Sequence, residues 1–253
     1  MELTQLIATG LCFLVGLSLG LLGGGGSILT VPVLVYVAGT SVKEAIAMSL
    51  IIVGVSSIIG SLRFMKQGFV NKRLVISFSC SGVPGAFLGT RLTPLFSERL
   101  LLIIFGGLML VISIALLYNF PNNRKDKHAT CNPDIVISII AGAAIGLLTG
   151  FLGVGGGFMI VPAIVLLMKC SLQTAIGTSL VIIAINSLVG FTGHLSISHV
   201  NVLQIAMFLS AAIAGTFTGG RISIKTSTIV LQRLFVGLVF LVGSFLVVKN
   251  LSF

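Results

Sequence analysis

Two glycine clusters recur in the same surroundings, one in each half of the chain. Leu22-Gly23-Gly24-Gly25-Gly26-Ser27-Ile28-Leu29-Thr30-Val31-Pro32 returns as Leu152-Gly153-Val154-Gly155-Gly156-Gly157-Phe158-Met159-Ile160-Val161-Pro162. Each cluster lies inside a long apolar run, and consecutive glycines break a helix. A broken helix at membrane depth is tolerated only where it is buried in protein or lines a cavity. Paired breaks at matching places in two halves are the strongest sequence pointer to a transporter binding site.

The apolar runs are those of a membrane protein. Only 8% of the 253 residues are charged, and mean hydropathy is +1.20, whereas soluble domains carry roughly 25% charged residues. Apolar segments fall at 3–22, 28–38, 43–62, 74–92 and 100–118, then at 134–152, 158–168, 173–193, 201–220 and 230–248. The second set matches the first without a gap. Identical pairs include Gly16/Gly146, Gly20/Gly150, Ser49/Ser179, Ser57/Ser187, Asn71/Asn201, Gly85/Gly215, Gly89/Gly219 and Arg91/Arg221. The chain therefore reads as a first membrane repeat (1–118), a basic linker on the cytoplasmic side (119–133) and a second membrane repeat (134–253). The start of the chain carries Glu2 and no Lys or Arg up to Gln5. It lacks the basic region of a secretory signal, so the first apolar run is expected to be retained.

Segments 28–38 and 158–168 are too short to cross. Eleven residues at 1.5 Å each reach about 16 Å, against a hydrocarbon core of about 30 Å. Loop charge bears on what they do. If each broken element returns to its starting side, then among the Lys and Arg of loops and segment ends Arg63, Lys66, Lys72, Arg73, Arg124, Lys125, Lys127, Lys169, Arg221 and Lys225 share one face, and Lys43, Arg91, Arg99 and Lys249 lie on the other. A single crossing by each broken element removes most of this bias. The positive-inside rule favours the return, with both termini outside. Arg63, Lys66, Lys72 and Arg73 are replaced in the second copy by Gly193, Ser196, Val202 and Leu203, as expected of copies facing opposite sides. The predicted fold is thus all-α and polytopic. It has two inverted repeats, each with a glycine-broken first element (re-entrant, or paired half-length pieces) followed by three transmembrane helices.

The chemistry points to an anion. All five acidic residues, Glu2, Glu44, Glu98, Asp126 and Asp134, fall in loops or at segment ends, whereas cation carriers and proton pumps keep acids inside the membrane. Helix N-termini supply N–H donors and positive dipole ends to anions. The helices opening after the breaks make Gly24, Gly25, Gly26, Ser27, Gly155, Gly156 and Gly157 candidate substrate-binding residues. The polar residues of the next segments join them: Ser49, Ser56, Ser57, Thr178, Ser179, Asn186 and Ser187. Local back-bonding to a carbonyl one turn earlier is the alternative for each hydroxyl; a lone amide such as Asn186 must find a partner. Arg91 and Arg221 each follow a Gly-x-x-x-Gly run and read either as anion-attracting vestibule residues or as snorkelling anchors. His194 is a candidate for proton coupling. Cys12 and Cys80 read as small core residues. No metal or cofactor site, nucleic-acid motif or enzyme signature is present in the sequence.

The paired glycine motifs with their following Pro, the Ala-Ile-Gly-Thr-Ser-Leu run at 175–180, and Gly85-x-x-x-Gly-x-Arg91 with Gly215-x-x-x-Gly-x-Arg221 together resemble the TauE/SafE sulfite exporter family of membrane permeases. The resemblance covers nearly the whole chain. It implies a bacterial-type inner-membrane transporter, with sulfite or a small organosulfonate such as sulfoacetate as candidate substrate. The expected mechanism is alternating access at a midplane site. An anion channel and a non-transporting assembly or sensor subunit are the alternatives. H+ or Na+ coupling, transport direction and a homodimer packed through small-residue runs such as Gly16/Gly20 stay open.

Overall fold

The computed structural model describes residues 2–119, 134–152, 156–194 and 202–251. The described elements are helices, with no strand among them: α1 (Glu2–Leu22), α2 (Gly25–Tyr36), α3 (Val42–Lys66), α4 (Lys72–Leu92), α5 (Glu98–Asn119), α6 (Ile135–Leu152), α7 (Gly157–Leu166), α8 (Leu172–His194), α9 (Val202–Lys225) and α10 (Thr228–Leu251). Seven of the long helices are apolar enough to span a bilayer. α4 is an eighth long helix, with Pro84 inside it. Large apolar side chains such as Leu6, Ile76, Val111, Leu117, Leu241 and Val248 cover the outer surface, where lipid replaces water as their solvent. The protein is a multi-pass membrane protein.

The two short elements are α2 and α7, 12 and 10 residues long. Each carries a proline at the same repeat position, Pro32 and Pro162. The chain reverses at Gly23, whose φ of +70° suits glycine. α2 then folds back on α1, with Gly26 set directly against Val15 and Leu19. The broken element thus returns rather than making two short crossings in series.

Glycine contacts fix the direction of every neighbour. Gly16 lies against Ala212 and Gly20 against Thr216, so α1 and α9 run parallel. Gly146 lies against Gly82 and Gly150 against Ala86, so α6 and α4 run parallel in the same way. Each half thus lends its third long helix to the first helix of the other half. α3 and α8 run antiparallel, with Gly54 beside Ser187, Gly60 beside Leu180 and Gly177 beside Phe64. α5 and α10 are antiparallel as well: Gly106 meets Gly243, and Arg99 Nε donates to the Asn250 carbonyl at 2.8 Å. Wherever helices at equivalent repeat positions meet, they run in opposite directions.

At these crossings a Cβ has nowhere to go. One at Gly85 would fall 2.5 Å from the Ala143 carbonyl oxygen, and at Gly16, Gly89, Gly150 and Gly215 the clash with opposing backbone is closer still. The Gly-x-x-x-Gly runs before Arg91 and Arg221 therefore serve backbone-to-backbone packing. Cys12 is buried, as expected, but Cys80 is exposed on the outer side of α4. The apolar run alone does not show which helix face meets lipid, and there a thiol behaves as one more small apolar group.

Substitution separates the packed glycines from the free ones. Gly150→Leu should cost at least about 3 kcal/mol by overpacking, whereas Gly237→Ala, with no atom near the new methyl, should be neutral or slightly stabilising. Midpoints of thermal unfolding in detergent micelles check both; equal midpoints for the two variants would contradict the packing described.

Candidate functional site

The two breaks meet. Gly24 abuts Gly157, so the first turns of α2 and α7 face each other across the boundary between the halves. Gly156, which precedes α7, has φ +66° and packs on the Thr149 hydroxyl. A side chain is excluded at Gly157 by Ile183 and by Gly24 itself. Neither first turn has a side-chain cap. Two positive dipole ends therefore abut, neither N-cap residue supplying a side-chain hydrogen bond. Gly25 and Gly26 are buried in the first turn of α2, and Gly155 lies outside the described residues.

The ends of the long broken helices are held from the opposite half. Ser223 Oγ donates to the Leu21 carbonyl at 2.8 Å, and Thr93 Oγ1 donates to the Phe151 carbonyl at 3.0 Å. Leu21 and Phe151 are equivalent in the repeat, as are Thr93 and Ser223. A helix that stops inside the membrane leaves carbonyls unbonded, and these hydroxyls supply the missing donors. The sequence carried this signal as a hydroxyl two residues after each of Arg91 and Arg221, but sequence alone did not show what it bonds. Ser179 Oγ adds a third tie, shared between the Ile176 carbonyl at 2.9 Å and the Gly23 carbonyl at 3.1 Å.

Hydrogen bonding sorts the remaining candidates. Ser27 donates to Gly24 and Ser49 to Ile46, each to a carbonyl of its own helix or cap. The Thr178 hydroxyl accepts from Asn71 N–H at 3.0 Å and so anchors the turn into α4. That explains why the equivalent Met48 needs no hydroxyl to serve a ligand. Ser56, Ser57, Asn186 and Ser187 behave differently. All four are at most 1% exposed, and their Oγ, Oγ, Oδ1 and Oγ atoms have no hydrogen-bond partner among the described residues. The two other unpartnered buried side-chain atoms are Arg63 Nε and Ser79 Oγ.

Ser187 lies near the middle of α8, where Gly54 of α3 packs on it, and Ser56 and Ser57 follow Gly54 on α3. Ser187 is one turn along α8 from Ile183, the residue that touches Gly157, so Ser187 lies about 6 Å of helix rise from that contact. Asn186 sits in a notch formed by Gly82 and the Gly142 carbonyl. The equivalent positions in the other half hold Ser56, Ala212 and Cys12. The larger amide thus goes with two glycines, and the smaller hydroxyl with two larger neighbours.

Arg91 and Arg221 lie away from this centre. Each is exposed and stacks on the phenylalanine four residues earlier, with guanidinium carbons 5.3 Å from the Phe87 ring and 4.2 Å from the Phe217 ring. His194 ends α8, and its side chain lies outside the described residues. A cavity of about 380 Å³ lined by Tyr36, Glu98, Arg99, Lys249 and Asn250 lies at the C-terminal end of α2, at the opposite end of that helix from the breaks.

Comparison with known proteins agrees with this architecture. The family model for the sulfite exporter TauE/SafE matches residues 8–246. A probable membrane transporter protein of Xylella fastidiosa strain Temecula1 is 36% identical over 235 residues, covering 90% of this chain and 87% of the relative. The probable membrane transporter protein YunE of Bacillus subtilis is 27% identical over 239 residues, covering 83% and 86%. MJ0441 of Methanocaldococcus jannaschii, named likewise, is 26% identical over 189 residues, covering 73% and 70%. No solved structure matches the chain.

The caps on the broken helices are testable. Thr93→Val keeps the side-chain shape and removes the donor, leaving the Phe151 carbonyl unpaired at a cost of about 1–3 kcal/mol. A lowered unfolding midpoint in detergent is expected for this variant, and a similar drop for Ser223→Ala; unchanged midpoints would show that the carbonyls are satisfied elsewhere.

Proposed function

The chain belongs to the sulfite exporter TauE/SafE family, and from that premise we propose that it is a secondary transporter of a small anion, sulfite or an organosulfonate. That it is a membrane transporter follows from the family and from the names of its relatives. One observation above all supports the finer reading: the unpartnered polar atoms of Ser56, Ser57, Asn186 and Ser187, buried on the packed helices α3 and α8, of which α8 also touches the start of α7 through Ile183. An unpartnered buried polar group costs about 1–3 kcal/mol, so four of them on two packed helices are consistent with ligand or water that completes them. Most other buried hydroxyls, including Ser18, Thr30, Thr149 and Thr216, bond to a carbonyl of their own helix.

In this reading the anion sits among hydroxyls, the Asn186 amide and the N–H groups of α2 and α7. No proton transfer or covalent step takes place, and we propose no enzymatic activity. The halves enter the bilayer in opposite orientations, which the antiparallel pairs α3/α8 and α5/α10 support. Rocking of one half on the other about the α3/α8 contact then exposes the site to each face in turn. The loop charges favour a bacterial-type inner membrane with both termini outside.

Reconstitution tests the proposal. Proteoliposomes should show saturable counterflow of sulfite or a sulfonate, whereas unitary currents would show a channel instead. Asn186→Leu should lower kcat/KM about 10- to 100-fold, the loss of one hydrogen bond to a charged ligand; full activity in that variant would remove the site from the α3/α8 centre. Orientation is checked separately with single cysteines read by a membrane-impermeant thiol reagent on intact cells. A Cys at Ser97 should label from outside and one at Gly68 should not; the reverse pattern inverts the assignment.

A further inference from the structure

The cavity at the C-terminal end of α2 lies apart from the helix breaks and has its own chemistry. Three helix ends supply its polar lining: Tyr36 closes α2, Glu98 and Arg99 open α5, and Lys249 and Asn250 lie in the last turn of α10. Its volume of about 380 Å³ falls among those of small-ligand sites, about 300–1,000 Å³. The lining is held by its own contacts. Asn250 Nδ2 donates to the Tyr36 hydroxyl at 2.9 Å, Lys249 Nζ stands 3.8 Å from the centre of the Tyr36 ring, and Arg99 Nε donates to the Asn250 carbonyl at 2.8 Å.

The protein does not neutralise these cations. Glu98 lines the same cavity, yet among the described residues it forms no ion pair with Arg99 or Lys249. Arg99 and Lys249 against Glu98 leave one positive charge in excess. Among the described residues Arg99 bonds only through Nε, so its two terminal NH2 groups are left for an oxyanion, the partner that a guanidinium fits best. The repeated scaffold does not require the cluster. The positions equivalent to Tyr36, Glu98, Arg99, Lys249 and Asn250 hold Leu166, Thr228, Ile229, Asn119 and Phe120, with no charge among them. The cationic cavity therefore belongs to one end of the molecule only.

An apolar track leads away from it. Leu241, Phe245 and Val248 are exposed and share one face of α10, at i, i+4 and i+7. Phe245 packs edge-on against Tyr36, with ring centres 5.6 Å apart, so the track reaches the cavity. Lipid tails are the solvent for such a face. A cationic cavity at the helix ends with an apolar track running from it has the two-part shape of a phospholipid. A free oxyanion would use the cavity but not the track.

We infer that this cavity binds the phosphate of a membrane phospholipid, with Arg99 and Lys249 on the phosphate oxygens and an acyl chain along Leu241, Phe245 and Val248. Glu98 accepts from a hydroxyl or ammonium donor farther out in the headgroup. None of these residues belongs to the anion site proposed above, so the two assignments are tested separately.

The test uses the full-length protein in detergent, depleted of lipid, with dioleoylphosphatidylglycerol, dioleoylglycerol and inorganic phosphate as probes. Thermal midpoints are read against the lipid-free midpoint of each variant. Dioleoylphosphatidylglycerol should stabilise wild type. Lys249→Gln should need about 10-fold more of it for the same shift, the loss of one charge-assisted contact. Arg91→Gln removes the same charge away from the cavity and should respond as wild type does. If Lys249→Gln fails to fold, Arg99→Gln takes its place with the same loss expected. An unchanged response in the cavity variant, or an equal loss in Arg91→Gln, overturns the site. An equal shift from dioleoylglycerol shows that the phosphate is not read, and an equal shift from inorganic phosphate shows a site for free oxyanions; either result overturns the lipid assignment.

Discussion

Backbone touching backbone across the two halves is the constraint from which the other features of this protein follow. Lipid tails are as apolar as leucine, so helices in a bilayer gain little by burying apolar side chains and associate through close packing. Here the first helix of each half receives the third long helix of the other, through Gly16 and Gly215 on one side and Gly146 and Gly85 on the other. The halves are thereby interlocked rather than laid side by side. Close approach also brings Ser223 and Thr93 within reach of the carbonyls that end α1 and α6. The same contact that joins the halves makes it tolerable to break their helices.

Breaking the helices creates the site. A continuous helix satisfies its own backbone and offers a ligand nothing. A helix restarted at Gly24 or Gly156 leaves first-turn N–H groups and a positive end inside the protein. The left-handed φ at Gly23 and Gly156 lets the chain turn within a few residues, and bare glycine at 24 and 157 lets the two restarts touch. Four glycines in a row thus serve three needs: reversal, contact and access to the backbone.

How much of this the sequence disclosed depended on whether a feature was local. The duplication, the two breaks, the short α2 and α7 and the long helices around them were legible, because each is a pattern along the chain. The burial of Asn186 against α4 was not legible, since an amide in an apolar run does not announce its neighbours. Partner choice was not legible: a Gly-x-x-x-Gly run announces close packing but not whether its partner is in its own half. Nor could periodicity separate Ser49, which bonds its own helix, from Ser57, which does not. Thr178 looked like a site hydroxyl, whereas its oxygen holds the turn at Asn71. Cys80 was read as core because the apolar run of α4 does not reveal which side faces lipid. In a membrane protein both faces of a helix are apolar, so the pattern that separates inside from outside in a soluble protein is largely absent.

The centre is not symmetric although the scaffold around it is. Two equal halves meeting head to head would give a site with a twofold axis, and a pyramidal or tetrahedral oxyanion with one unlike substituent does not fit such an axis. The exchange at the α3/α8 contact removes it. Asn186 replaces Ser56, and Gly82 and Gly142 replace Ala212 and Cys12 to make room. Volume is shifted between partners rather than lost, so packing survives while the hydrogen-bonding capacity of one side grows. Duplication thus supplied the interlocked frame and the paired dipole ends, and divergence at these three pairs of positions gave the centre its direction.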